Sequence, residues 1–235
     1  MIATAFIPAR AGSKRLPGKN KKLFHGKPLV QWSIDQAKEA GVFDKIIVSS
    51  DDSDILAIAD KSGVIPVERQ TALAGDKAKI EDVLYDFFAR PENITDYVCL
   101  LNPTHPLRSS EDIKKSFKFV QMKKYASVVS VVWNDILGWI EKPAKAGPAC
   151  LYLIDKRPTK ESRDDWYLEN GCIYWFKREV LLTTGTMIGQ PGGVKLYEMP
   201  KERSLEIDDL FDFYLCEKAW EWSNNGAKRA MEKLD

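Results

Sequence analysis

Short apolar runs alternate with segments of helical periodicity through the first half of the chain. Four of these runs have the length and apolar character of buried strands: residues 3–8, 45–49, 97–101 and 127–132. Between them, apolar residues recur at three- and four-residue spacing, which places them on one face of a helix. Because strand–helix–strand repeats fold into a parallel sheet, the pattern predicts an α/β domain with helices flanking a largely parallel sheet.

The alternation of strands and helices breaks after Val132. Residues 133–170 hold three of the seven tryptophans and several prolines without sustained periodicity, and they predict an insertion that could serve as a dimerisation arm. Residues 1–132 and 171–235 then form a single α/β domain. Further elements expected in that domain are an edge strand at 64–67, strands at 171–176 and 194–198, and a final helix at about 209–222.

Composition argues against several classes of function. The net charge of +1 gives no field for a nucleic-acid polymer, and no basic stripe with interleaved aromatic residues is present. No apolar run approaches the roughly 20 residues that a membrane span needs, and the N-terminal segment lacks the basic lead of a signal peptide. The four cysteines are scattered without a C-x-x-C pair, which predicts reduced thiols and a cytoplasmic protein.

The segment 8–20, which follows the first strand, is rich in small and cationic residues. Ligands of such sheets bind outside the carboxyl ends of the strands, and small residues let backbone N–H groups approach an anion. The side chains suited to a polyphosphate are Arg10, Lys14, Arg15, Lys19 and Asn20. The segment is not a P-loop, because five residues separate Gly12 from Gly18 where that motif has four. It therefore predicts a local phosphate cradle of another kind.

A second polar loop, at 102–108, follows the strand at 97–101. Asn102, Thr104 and Arg108 supply hydrogen-bonding groups at the carboxyl end of that strand, although turn chemistry alone would explain them. His105 has the side chain of a general base, but a lone histidine in a proline-flanked turn is more often structural. A structural role is the interpretation we favour for it.

An acidic segment, at 204–212, contains four carboxylates. In an extended chain Glu206 and Asp208 project to the same side, and two carboxylates beside a polyphosphate suit magnesium. The alternative is a helix start, with Asp208 or Asp209 as the N-cap and the other acids favoured by the helix dipole. The two interpretations are compatible if Asp209 and Asp212 serve the helix.

Several motifs together resemble one family of enzymes. The stretch 7–20, followed by 26–29, resembles the signature of the acylneuraminate cytidylyltransferases, and the related CMP-Kdo synthetases share its Leu16–Lys19 element. Segments 100–108, 170–174 and 204–212 resemble further family motifs in the same order. The resemblance implies a Rossmann-like, mixed sheet of the nucleotide-diphospho-sugar transferase type. It also implies transfer of CMP from CTP to a nine-carbon ulosonic (sialic-type) acid, with release of pyrophosphate.

The resemblance also implies roles for particular residues. Arg10 and Lys19 would be catalytic, and Glu206 and Asp208 would bind Mg²⁺. The nucleotide-binding set would be Ala9, Arg10, Ala11, Gly12, Ser13, Lys14, Lys19, Asn20, Ala74, Gly75, Asn102 and Thr104. The acceptor-binding set would be Asn102, Arg163 and Asn170. The chain departs from the family motifs at four positions, with Gly75 for Ser, Asn102 for Gln, His105 for Ser and Glu206 for Asp.

Three alternatives stay open beside this hypothesis. CMP-Kdo synthesis, or cytidylylation of another small acid, would use the same scaffold, although Asn170 favours a sialic-type acceptor. A nucleotide-binding regulatory protein without catalysis is a different class, disfavoured by intact Arg10, Lys19 and Asp208. A nucleic-acid-binding module is disfavoured by the balanced charge. The expected partners are CTP, an acidic sugar and a second copy of the chain, with no nucleic-acid polymer and no membrane.

Overall fold

The computed structural model describes residues 1–75, 77–134, 138–141, 148–150, 159 and 166–226. Its strands are β1 (Ala3–Pro8), β2 (Leu23–Phe24), β3 (Lys27–Pro28), β4 (Lys45–Ser50), β5 (Ile65–Glu68), β6 (Tyr97–Leu100), β7 (Ser127–Trp133), β8 (Trp139–Glu141), β9 (Pro148–Cys150), β10 (Tyr167–Lys177) and β11 (Val194–Glu198). Its α-helices are α1 (Leu29–Ala40), α2 (Ser53–Lys61), α3 (Ile80–Phe88), α4 (Ser110–Gln121), α5 (Arg178–Thr184) and α6 (Leu210–Glu221).

Seven of the described strands form one mixed sheet in the order β11-β7-β10-β6-β1-β4-β5. β1 pairs in parallel with β4 and β6, β4 with β5, and β11 with β7. β10 runs antiparallel to both of its neighbours, β6 and β7. The predicted fold, a largely parallel sheet flanked by helices, is confirmed, and β5 lies at the sheet edge as Pro66 indicates.

The central strand β1 is buried on both faces. Successive side chains of a strand point to opposite faces, so Ala5 and Ile7 join the core that contains residues of α1 and α4. Phe6 points the other way and contacts Phe87 and Phe88 of α3, with ring centroids 5.6 and 5.7 Å apart. Burial on both faces explains why β1 is an uninterrupted apolar run.

β10 is the longest strand described, and it begins earlier than the sequence predicts. Tyr167–Glu169, which fall within the predicted insertion, pair with β7 in the main sheet. The pairing register shifts between Glu169 and Tyr174, and Gly171 adopts a left-handed backbone with φ of +73° at this irregularity. Most of segment 133–170 lies outside the described residues, so the insertion and its role as a dimerisation arm stay predictions.

A third core cluster lies beneath α6. Ile207 and Phe213 pack there with Leu16 of the 8–20 segment and with Leu29 at the start of α1. Asp209 is the N-cap of α6, since its carboxylate accepts hydrogen bonds from the N–H groups of residues 211 and 212. This packing brings the acidic segment beside the predicted phosphate cradle. In the described part of the chain, no helix has the length and apolar character needed to cross a bilayer.

Trp175 provides a test of the core. Its indole is fully buried, stacks on Phe43 at 5.2 Å and donates to Ser116 Oγ at 3.0 Å. We expect Trp175→Ala to lower the free energy of unfolding by about 3–5 kcal/mol, because it leaves a cavity and removes the hydrogen bond to the buried Ser116 hydroxyl. The exposed Trp222 is the matched control, and Trp222→Ala should cost less than about 1 kcal/mol. Equal losses in urea unfolding would contradict this description of the core.

Candidate active site

A cleft of about 430 Å³ opens at the carboxyl ends of β1 and β6. Its walls include eight residues that the sequence assigns to nucleotide, acceptor or metal: Arg10, Ser13, Lys19, Asn20, Gly75, Asn102, Thr104 and Glu206. A second depression of about 340 Å³ shares three of these residues and adds Lys14, Arg15 and Asp208. The fold therefore brings together segments that are up to about 200 residues apart in sequence.

The cradle that follows β1 is held by neighbouring strands and by its own side chains. Ala9 donates its N–H to the carbonyl oxygen of Ser49 at 2.9 Å, and its carbonyl oxygen accepts from Ser50 Oγ at 2.5 Å. Ala11 donates its N–H to Asp51, and Asn20 Nδ2 donates to the carbonyl oxygen of residue 10 at 2.9 Å. These hydrogen bonds fix the backbone conformation of the loop. Nucleotide contacts by Ala9, Ala11 and Gly12 stay predictions.

Lys19 joins the cradle to the acidic segment. Gly18, with φ of +66°, turns the chain into a short 3₁₀ helix at Lys19–Lys21. Lys19 Nζ donates to the carbonyl oxygen of Ile207 at 2.8 Å and to Oδ1 of Asp208 at 3.1 Å. Arg15 donates to Oδ2 of the same carboxylate at 2.7 Å. One carboxylate is thus paired with two cations of the cradle.

The two predicted metal ligands have pKa values that shift in opposite directions. Desolvation alone would raise the pKa of Asp208, but Lys19 and Arg15 outweigh it and hold that pKa below its usual value. Glu206 is solvent-accessible at the cleft wall, yet partial desolvation, and then repulsion from Asp208, raise its pKa. Ile207 is fully buried between the two acids, so both carboxylates project away from the core, as the period of two requires.

The donor set is suitable for a hard cation. Within the described ranges, no group of three or more His, Cys, Asp or Glu side chains is arranged to hold a metal. Magnesium is usually bound by one or two carboxylates together with phosphate oxygens and water. Glu206 and Asp208 beside the predicted phosphate cradle match that pattern.

Loop 102–108 binds three consecutive carbonyl groups of β10. Each donor is a side chain of the loop, and each acceptor lies at the register shift where the strand cannot pair regularly. The pairs are His105 Nε2 with Asn170 at 2.6 Å, Asn102 Nδ2 with Gly171 at 2.9 Å, and Arg108 Nη1 with Cys172 at 2.7 Å. Arg108 is fully buried and also donates to Gln36 and to Ser33 of α1. These bonds fix the strand against the cleft.

His105 is neutral and buried, which supports the structural interpretation of this residue. Burial, followed by the nearby Arg108 cation, lowers the pKa of His105 to about 3. A carbonyl oxygen only accepts, so the proton of the neutral ring lies on Nε2, which faces the Asn170 carbonyl. Nδ1 is then an acceptor, 3.2 Å from Thr104 Oγ1.

The structure describes only part of the predicted acceptor set. Asn170 is buried, and its amide accepts from Ser130 Oγ at 2.6 Å and donates to Ser204 Oγ at 2.9 Å. This geometry favours a supporting role, and direct acceptor contact by Asn170 stays a prediction. Arg163 lies outside the described residues. Ala74 presents its carbonyl oxygen to Arg10 Nη1 at 3.5 Å.

Three polar residues of the two depressions were not in the predicted catalytic, binding or metal sets, although Arg15 was among the cations suited to a polyphosphate. Arg69 lines the cleft and donates to Ser49 Oγ and its carbonyl oxygen at 3.2 and 3.0 Å. Tyr174 lines it as well and donates its hydroxyl to Glu169 at 3.1 Å. Arg15 pairs with the predicted metal ligand Asp208. Arg69 directly follows edge strand β5, so the rule that ligands bind at carboxyl ends of strands could have identified it.

Fold and site together are those of an α/β protein with a charged cleft at the carboxyl ends of its strands, and comparison with known proteins identifies its family. The model of the family described as cytidylyltransferase matches residues 4–191. The N-acylneuraminate cytidylyltransferase of Escherichia coli is 36% identical over 218 residues, covering 90% of this chain and 50% of that protein. The CMP-N,N'-diacetyllegionaminic acid synthase of Legionella pneumophila is 32% identical over 237 residues, covering 94% of this chain and 97% of that protein.

A solved structure shares the fold. CMP:2-keto-3-deoxy-manno-octonic acid synthetase, complexed with CTP, matches with a TM-score of 0.71 at 17% identity, covering 95% of this chain and 100% of that one. The chain belongs to the cytidylyltransferase family, and the resemblance to acylneuraminate cytidylyltransferases is confirmed. The chain spans about half the length of the first curated relatives that it matches.

The burial of neutral His105 predicts a pH dependence of stability. The unfolded imidazole binds a proton below a pKa of 6.5, whereas the folded one stays neutral down to about 3. The unfolded state therefore binds more protons in this window, and the stability contributed by neutral His105 is lost as the pH falls through it. On acidification from about pH 6.5 to 4.5, the wild type should lose about 2 kcal/mol more than His105→Gln.

Urea unfolding at the two pH values measures this difference. Identical slopes for the wild type and His105→Gln would contradict the neutral, buried state of His105.

Proposed function

We propose that the chain is a CTP-dependent cytidylyltransferase that transfers CMP to a nine-carbon, sialic-type ulosonic acid and releases pyrophosphate. The observation that carries the proposal is the contact of Lys19 with Asp208, which joins a cationic phosphate cradle to an acidic segment at the mouth of one cleft. The names of the relatives support the reaction. The nearly full-length match to a legionaminic acid synthase supports the acceptor class.

In this proposal the reaction is a direct displacement at phosphorus. A hydroxyl oxygen of the acceptor loses its proton to solvent and forms a bond to the α-phosphorus of CTP. The bond from that phosphorus to the bridging oxygen breaks, and pyrophosphate leaves. Arg10 and Lys19 stabilise the charge on the transferring and leaving phosphates, which is the main contribution a protein makes to such reactions. The cleft also contains the buried Arg69, which adds positive charge beside Arg10.

Glu206 and Asp208 would hold a magnesium ion in this proposal. Such an ion supplies charge neutralisation at phosphate oxygens and can lower the pKa of a coordinated hydroxyl. In the protein alone, Lys19 and Arg15 neutralise Asp208. A triphosphate offers both cations alternative acceptors, so nucleotide binding would free the Asp208 carboxylate for a cation. This exchange predicts that nucleotide and metal bind cooperatively.

The proposal extends to the acceptor and to the assembly. Asn102, Thr104 and Tyr174 give the acceptor side of the cleft polar groups, and Arg163 is proposed to pair with the acceptor carboxylate. We further propose a homodimer formed through segment 133–170. A reducing, cytoplasmic location is consistent with Cys99, Cys172 and Cys216, which are free and buried.

A substrate panel tests the function. Pyrophosphate release should require Mg²⁺, CTP and an ulosonic acid together, and chelation by EDTA should abolish it reversibly. Sialic, legionaminic, pseudaminic and Kdo acceptors should be compared with each of the four nucleotides. Preference for Kdo would replace the nine-carbon assignment. CTP binding without turnover on any acceptor would favour a regulatory protein instead.

Two substitutions test the site. Lys19→Ala should lower kcat by about 10²–10³-fold, because it removes one cation that stabilises the transition state. Asp208→Asn keeps the side-chain volume but removes the charge, and should weaken magnesium activation by a similar factor. Lys115→Ala and Asp60→Asn, at exposed positions of α4 and α2, are the matched controls and should retain full activity. Full activity of both site variants would show that the residues are wrongly assigned.

A further inference from the structure

A continuous chain of contacts crosses the back of the cleft from β10 to the acidic segment. His105 Nε2 donates to the carbonyl oxygen of Asn170 at 2.6 Å, and His105 Nδ1 lies 3.2 Å from Thr104 Oγ1. Thr104 Oγ1 also lies 3.1 Å from Oε1 of Glu206. This series of contacts therefore links the Glu206 carboxylate, which is proposed to bind magnesium, with β10, whose residues line the proposed acceptor side of the cleft.

This series of hydrogen-bonded contacts contains fewer donated protons than acceptor atoms. The proton of the neutral imidazole is used at Nε2, because the Asn170 carbonyl cannot donate. Nδ1 and the Glu206 carboxylate are then both acceptors, and Thr104 has one hydroxyl proton to give. The two acceptors compete for that single proton, so Thr104 can fully satisfy only one of them.

We propose that His105 is a positioning residue that couples the Glu206 carboxylate to the acceptor side of the cleft through the single hydroxyl proton of Thr104. The proposal rests on the proposed function, because it takes Glu206 as a metal ligand. When Glu206 is engaged by a cation, Thr104 turns its proton to His105 Nδ1. The imidazole is then held at both ring nitrogens, and the carbonyl of Asn170 is fixed with it.

The strand is sensitive to the position of this ring. A Cβ atom placed on Gly171 would lie 3.0 Å from Cε1 of His105, so the imidazole packs directly on the backbone of the strand. Asn102 holds the next carbonyl, that of Gly171, and also lines the cleft. Tyr174, three residues further along β10, lines it too. A less firmly held imidazole would therefore make β10 less well fixed on the acceptor side of the cleft. The phosphate cradle would be unaffected.

Two near-isosteric substitutions of His105 test the hydrogen bonds of its two ring nitrogens separately. The amide of His105→Gln reaches the place of Nε2 and can still donate to Asn170, but it leaves Thr104 no second acceptor. The amide of His105→Asn stands near the place of Nδ1 and can still accept from Thr104, but it loses the bond to Asn170. Each variant thus interrupts the chain of contacts at a different link.

The expected results differ in kind between the variants. His105→Asn should raise KM for the acceptor about 5–10-fold, with KM for CTP unchanged, because one hydrogen bond to the strand is lost. His105→Gln should keep the acceptor KM but weaken Mg²⁺ binding to the CTP complex about 5-fold, because Thr104 no longer has another partner when a cation takes Glu206. Titration calorimetry with Mg²⁺ measures the second effect without turnover.

A measurement on the unmodified protein keeps the proposal testable if a variant fails to fold. The chain has two histidines, so ¹⁵N-histidine labelling gives two imidazole spin systems, and the His25→Gln variant assigns them. Adding Mg²⁺ to the CTP complex should shift the Nδ1 resonance of His105 toward that of a hydrogen-bonded acceptor while the proton stays on Nε2.

The outcomes distinguish this proposal from the function on which it rests. Absence of turnover by the wild type with every acceptor would overturn the proposed function. Normal wild-type turnover, with an Nδ1 resonance that does not respond to Mg²⁺, would overturn only the coupling. So would variants that change melting temperature but leave the acceptor KM and the Mg²⁺ dissociation constant unchanged, because His105 would then serve the core alone.

Discussion

The site depends on the hydrogen bonds by which loop 102–108 fixes the position of β10. That strand is antiparallel to both neighbours in an otherwise parallel sheet, and its pairing is irregular between Glu169 and Tyr174. Unpaired carbonyls in a buried region are costly, and three side chains of the loop satisfy three of them in succession. The fully buried Arg108 cation has neutral acceptors on both α1 and β10. The same hydrogen bonds therefore complete the sheet and build one wall of the cleft.

The opposite wall is organised by charge. The cradle after β1 gathers cations at the carboxyl end of the sheet, and the apolar packing of Ile207 beneath α6 brings Asp208 up against them. In the free protein Lys19 and Arg15 compensate that carboxylate. A polyphosphate with a divalent cation would satisfy the same groups in a new arrangement. In the proposed function, this exchange would let the site bind a highly charged nucleotide without leaving uncompensated charge in its absence.

Features specified by local sequence were predictable. The bounds of β1 and β11, the edge position of β5 and the capping role of Asp209 follow from periodicity, proline and cap chemistry, and most of the proposed nucleotide and metal residues do lie around one cleft. The early start of β10 was missed because its first residues have no continuous apolar run. The engagement of the Asn170 amide by Ser130 and Ser204 was missed as well, since those contacts join residues about 35–40 apart and no local pattern encodes them.

The proposed function requires that the acceptor oxygen attack the α-phosphorus of CTP in this cleft. Its most direct test is an acceptor acid labelled with ¹⁸O at the reacting hydroxyl, incubated with CTP and Mg²⁺ and followed by mass spectrometry and ³¹P NMR. We expect one equivalent of pyrophosphate and a CMP-sugar that retains the label in its bridging oxygen. Release of CDP and inorganic phosphate, or a CMP product without the label, would contradict it.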